Sequence, residues 1–176
     1  GKLVVSKHTK PISDFQPIRM GCKPVDGGNL LLTPDEKEVL IKEYPHSTKW
    51  IKKIYSAADY INDGERYCLW VSDTEKEDAE TIPFIKHRFI ETANMRLKSP
   101  DNSAREMANR PHQFREFNAC DESTLVIPST SSENREYIPM GYFNSETIVT
   151  NAMYMVYNAE QWLMGVVTSR MNMLWV

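Results

Sequence analysis

The stretch from 82 to 98 sets the strongest limit on the fold. Ile82, Ile85, Phe89, Ala93 and Leu97 recur three or four residues apart, which lays one apolar stripe along a helix of about four turns beginning at Pro83. Lys86, Asn94 and Lys98 project away from that stripe. A helix with one apolar face must lie on another apolar layer. The run Arg66-Tyr67-Cys68-Leu69-Trp70-Val71, aromatic and β-branched and preceded by the Asn62-Asp63-Gly64 turn, supplies a buried strand for it. Helix on sheet is therefore the expected architecture.

Other segments fill in the layers. Thr33 is placed to cap a helix with Pro34 in its first turn and Glu36 completing a capping box, and that helix ends near Tyr44 and Pro45. Trp50, Ile51, Ile54 and Tyr55 predict a second helical stretch over 47–55. A shorter helix is expected over 100–111. Strands are expected over 124–128, 136–143 and 152–157, and a last helix over 159–175, with Trp162, Leu163, Val166, Val167, Met171 and Leu174 in helical phase. Residues 1–20, with Pro11 and Pro17 in polar surroundings, read as an irregular arm or short edge strand, and 21–176 as the domain proper. The fold class is α+β, a mixed or antiparallel sheet packed by several helices. The last helix runs to Leu174-Trp175-Val176 without a Gly, Asn or basic stop, so the expectation is a single domain truncated at its C-terminal helix.

With 176 residues and 41% hydrophobic content, the chain can bury a core, which excludes a disordered protein. Cys22, Cys68 and Cys120 stand far apart with no CxxC pair, which suggests neither a disulfide framework nor a zinc site. No apolar run approaches a membrane span and no secretory layout opens the chain, so the expected location is cytoplasmic, with no membrane partner.

A net charge of −3 opposes a free-standing, non-specific nucleic-acid binder, which draws its affinity from excess Lys and Arg. The charge is unevenly spread, however. Over 63–80, seven acids (Asp63, Glu65, Asp73, Glu75, Glu77, Asp78, Glu80) stand against Arg66 and Lys76. Over 81–115 the balance reverses: Lys86, Arg88, Arg96, Lys98, Arg105, Arg110 and Arg115 outnumber Glu91, Asp101 and Glu106. Such a polarised surface offers Lys86, Arg88, Arg96, Arg105, Arg110 and Arg115 as candidate phosphate ligands, with ordinary solubilising charge as the alternative for each.

No GxSxG elbow, P-loop, HExxH or GxGxxG occurs, and no Asn-Pro-Pro-aromatic or Asp-Pro-Pro-aromatic run. His8, His46, His87 and His112 fit neither a metal site nor a triad. What stands out is the polar connection Ser129-Thr130-Ser131-Ser132-Glu133-Asn134-Arg135-Glu136-Tyr137 between two expected strands. Glu accepts from cytosine N4, Arg forks onto guanine O6 and N7, Asn pairs with adenine, and Ser serves base or phosphate. Composition alone favours a solvated hairpin with a local Glu-Arg ion pair over that role. Trp50, Trp70, Trp162 and Trp175 sit in apolar phase and read as packing residues rather than stacking platforms.

Several segments together resemble one family. Gly21 to Leu30, Ala58-Asp59-Tyr60-Ile61-Asn62, Tyr67 to Trp70, the run from Ile127 to Gly141, and Thr168-Ser169-Arg170-Met171 are similar, in order, to the target recognition domain of the MmeI-like enzymes. These single-chain restriction-modification proteins methylate adenine and also cut DNA. The resemblance implies a module with no catalysis of its own, bound to double-stranded DNA. It would follow a methyltransferase domain of the same polypeptide that uses S-adenosylmethionine, a cofactor the module itself does not hold. It also implies base-reading around Glu133 and Arg135, flanked here by Ser132, Asn134 and Tyr137. Family members continue past the last helix with a basic segment and an Asn-Phe-Pro run, both missing here. The rival reading is a protein-interaction domain that uses the apolar last helix and the acidic stretch.

Overall fold

The computed structural model describes residues 16–132 and 134–174. Residues 1–15 of the expected arm, Glu133 and Trp175 lie outside them. The strands are β1 (Arg19–Met20), β2 (Leu31–Leu32), β3 (Ile51–Tyr55), β4 (Tyr67–Leu69), β5 (Thr124–Pro128), β6 (Gly141–Phe143), β7 (Thr147–Val149) and β8 (Met153–Val156). The helices are α1 (Pro34–Glu43), α2 (Ala57–Asn62), α3 (Lys76–Ala79), α4 (Pro83–Leu97), α5 (Asn102–Glu106), α6 (Gln161–Val167) and α7 (Arg170–Met173), with 3-10 turns at Pro45–Trp50 and Met107–Asn109. The class is α+β, but with two four-stranded sheets. One is antiparallel, in the order β1-β8-β5-β6. The other, β2-β4-β3-β7, is mixed because β7 runs parallel to β3.

The main core lies on the mixed sheet. Trp50, Ile54, Leu69, Ile82, Ile85, Phe89 and Phe114 pack there with almost no solvent exposure. Full burial of an aliphatic or aromatic side chain of this size is worth about 1.5–3 kcal/mol, so this cluster dominates the apolar stabilisation. A smaller cluster joins the sheets through Val126, Val149, Met153 and Met155, and a third seats Leu125, Met140, Val156 and Ala159 under α6. Gly21 is where β1 crosses toward the mixed sheet. A Cβ there would stand 2.3 Å from the Thr150 carbonyl oxygen, closer than any real side chain tolerates.

Four expectations are corrected. The helical stretch over 47–55 is a 3-10 turn that buries Trp50, followed by strand β3. β3 bonds to β4 on one side and β7 on the other, and a central strand wins over a short apolar spacing that suits helix and strand alike. On α4, Thr92 and Arg96 complete the buried face in place of Ala93 and Leu97, and Leu97 is 60% exposed. The strand expected over 136–143 forms only at Gly141–Phe143, since Pro139 has no N–H for a ladder. The last helix is broken at Thr168 and Ser169, where the Ser169 hydroxyl accepts from the Asn172 N–H and starts α7 anew.

The Thr33 expectation is met in full. Its hydroxyl accepts from the Glu36 N–H at 3.2 Å, and a Glu36 carboxylate oxygen accepts from the Thr33 N–H at 2.9 Å. Ser56 and Asp59 repeat the device at α2.

Candidate nucleic-acid interface

β5 carries the polar connection and is held on both flanks, by β8 and by β6. The Ser129 N–H donates to the Ala152 carbonyl at 2.9 Å, which pins the departing chain to the turn before β8. At the far end Met140, 7% exposed, sits in the third cluster with Ile138 packed beside it. Between these anchors Ser129 to Ser132, Asn134, Glu136 and Tyr137 face solvent.

Ser132 organises the tip. Its carbonyl accepts from the Arg135 N–H at 3.1 Å and its hydroxyl accepts from the Asn134 N–H at 3.2 Å. That turn leaves the half-buried Arg135 guanidinium with no hydrogen bond or ion pair among the described residues. Tyr137 is 48% exposed, and the neighbouring Glu136 carboxylate holds its phenol above the ordinary value by hydrogen bond and charge. The loop thus presents an Arg, an Asn, hydroxyls and a phenol from a rigid strand end, while Glu133 lies outside the described residues.

The six cations expected to hold phosphates do not form one group. Arg96 is fully buried. Its Nε donates to Val25 O at 2.8 Å, Nη1 to Met107 O at 3.0 Å and Arg110 O at 2.8 Å, and Nη2 to Gln113 O at 2.6 Å and Pro24 O at 3.3 Å. All five of its N–H groups are taken. Burial pushes its pKa down to about 10, against the pull of Asp26, so it stays charged at neutral pH. Arg88 is likewise occupied, bonded to Asn29 O and Leu31 O at 3.0 and 2.8 Å and to the Glu36 carboxylate, which ties α4 to α1. Lys86 is exposed near the start of α4, about 15 Å along the helix from Arg96 at 1.5 Å per residue.

Arg105, Arg110 and Arg115 lie together beyond the other end of α4. Arg105 donates to Ser99 O at 2.6 Å, Arg110 to the Arg115 carbonyl at 2.9 Å, and Arg115 to Asp101 and the Ser103 hydroxyl at 3.3 and 2.8 Å. The Arg115 N–H donates to Lys23 O at 2.9 Å, and the next residue, Glu116, accepts from the Lys23 N–H. A hydrogen-bonded chain of residues therefore runs from α5, through Arg115, to Lys23 just past β1. There it meets an open depression of about 530 Å³ whose lining includes Arg19, Lys23, Asn118 and Asn151. Sequence reasoning passed over these four because they are scattered through the chain; the one local signal is Gly21, which lets β1 close onto Thr150.

Cys22, Cys68 and Cys120 are free and buried, and desolvation raises their thiols, Cys22 to about 12 and Cys120 to about 11. Among the described residues no set of His, Cys, Asp and Glu could hold a metal ion, and no helix is long and apolar enough to cross a membrane.

Compared with known proteins, residues 1–176 match the family described as MmeI, target recognition domain. The chain belongs to the MmeI target recognition domain family. DNA methyltransferase A of Bacillus subtilis (strain 168) is 41% identical over 174 residues, a stretch that covers 99% of this chain and 20% of that protein. Among solved structures, the type IIL restriction-modification enzyme MmeI in complex with DNA superposes with a TM-score of 0.86 and 33% identity, covering 97% of this chain and 23% of that one. The chain thus spans about a fifth of the length of the relatives it matches. In MmeI family terms, the resemblance first carried by scattered segments extends over the whole chain.

Proposed function

We propose that this domain gives sequence specificity to a DNA adenine-N6 methyltransferase of the restriction-modification type by reading the bases next to the methylated adenine. The observation that carries the reading is the loop over 129–140: two fixed ends, an exposed tip, and an Arg135 guanidinium without a partner among the described residues. Arg135, Asn134, Ser132 and Tyr137, with Glu133, are the base-reading set. Lys86, Arg105, Arg110 and Arg115 face phosphates and set register. Arg88 and Arg96 leave that set, because their N–H groups already hold the fold together.

Methyl transfer belongs to the remainder of the polypeptide. In this reading S-adenosylmethionine is bound there as well. The endonuclease activity of a restriction enzyme would reside there too. Work on chromosomal DNA keeps the expected location cytoplasmic. Exposed Val166, Met171 and Leu174 on the last two helices favour a second contact, with the methyltransferase domain of the same polypeptide. The test is to express the full-length protein with Arg135→Ala and map its methylated sites; relaxed or altered specificity is expected, and an unchanged site and rate would refute the assignment.

A further inference from the structure

Three strand ends meet below the polar loop. β5 leaves the antiparallel sheet at Pro128, opposite Met153 where β8 begins, and β1 ends at Met20, opposite Tyr154. The chain then passes Gly21, whose N–H donates to Met153 O at 2.9 Å, and Cys22, whose carbonyl accepts from the Asn151 N–H at 2.9 Å. These bonds fix Lys23 and Asn151 on the rim of the depression described above, and Ala152, the next residue, holds the loop's first N–H.

Four of the lining side chains carry N–H donors, beside Met20, Gly21 and Glu116. The side chains of Arg19, Lys23, Asn118 and Asn151 have no hydrogen bond or ion pair among the described residues, although all four line one open hollow. Its single acid, Glu116, already accepts the Lys23 N–H at 2.8 Å, a bond that ties its carboxylate to the backbone of the rim. Two cations and two amides around one concavity suit a group that is anionic and accepts from several directions, which describes a phosphodiester.

We propose that this hollow is a phosphate seat for the DNA backbone, placed at the root of the loop so that a fixed phosphate sets the height at which the loop enters the groove. The proposal rests on the DNA-reading function given above. It adds four residues to the proposed interface and links the hollow to Arg115 through the Lys23 carbonyl.

The experiment is duplex binding by the full-length protein across a salt series, with Arg19→Gln, Lys23→Gln, Asn151→Asp and, as a charge control away from the hollow, Lys42→Gln. Arg19→Gln and Lys23→Gln are each expected to lower the slope of log K against log salt by about 1 and to weaken binding to every sequence alike. Asn151→Asp places a negative charge on the rim and is expected to weaken binding more than Asn151→Ala does. Lys42→Gln should leave the slope unchanged, and unfolding midpoints equal to wild type keep the readout on DNA. Wild-type slopes in Arg19→Gln and Lys23→Gln would overturn the seat while leaving the DNA-reading function standing. A switch of preferred sequence in place of a uniform loss would also overturn it, as base contact. A wild-type protein that binds no duplex would overturn both.

Discussion

Arg96 shows at the scale of one residue how a charge can belong to the fold. Its five N–H groups satisfy five carbonyls, from residues 24 and 25 on one side and 107, 110 and 113 on the other, and so clamp the entry of the β1 to β2 connection to the region after α5. Removing it strands buried carbonyls, so Arg96→Ala should cost roughly 3–5 kcal/mol in urea unfolding. Arg96→Lys should recover little, since an ammonium cannot reproduce the fork. An Arg96→Ala protein of wild-type stability would refute this role. His112 provides a pH test. Burial lowers its pKa, opposed by the bond from Nε2 to Asp73 Oδ1 at 2.9 Å. A histidine with a depressed folded pKa takes up its proton more readily when unfolded, so its stabilisation is complete above the ordinary value near 6.5 and is lost as pH falls below it. The stability of wild type should fall between pH 7.5 and 5.5 more than that of His112→Gln.

Elements differ in how far local chemistry decides them. The capping box of α1 is written in four consecutive residues, Thr33 to Glu36, and forms as read. Thr33→Ala should cost about 1 kcal/mol by denaturant unfolding, with Glu36→Ala costing more than a lone cap because the same carboxylate also holds Arg88. α4 was legible from its stripe, and so were β4 and β5. β3 was not, because Ile51 and Ile54 fit either period and only pairing with β4 and β7 decides between them. β7, three residues long and central to neither pattern, exists because the chain crosses between sheets at Thr150, which bridges Cys22. The same non-local logic hid half of the proposed interface. The loop over 129–140 is contiguous and could be read as polar chemistry between strands. Arg19, Lys23, Asn118 and Asn151 come together only through strand ends, and Arg96 reads as a surface cation until its carbonyl partners are known. Leu125→Ala, at the root of the loop in a strand paired on both sides, should cost about 2–5 kcal/mol and loosen the loop with it.

For the molecule as a whole, the net charge of −3 is misleading because opposite charges occupy different places. Several acids of the 73–80 stretch are paired within the domain, Asp73 with His112, Asp78 with Lys49 and Glu80 with Lys76, while Arg115, with Arg110 bonded to its carbonyl, lies beside Lys23. On the proposed reading, such a domain needs little excess charge, with its orientation on DNA set by a few placed cations and its sequence preference by one loop. The claim that this loop reads sequence is tested most directly by mapping methylated sites in DNA modified by the full-length protein with and without Arg135→Ala. A changed or relaxed recognition sequence with methyl transfer retained is expected; the same sequence methylated at the same rate would overturn the claim.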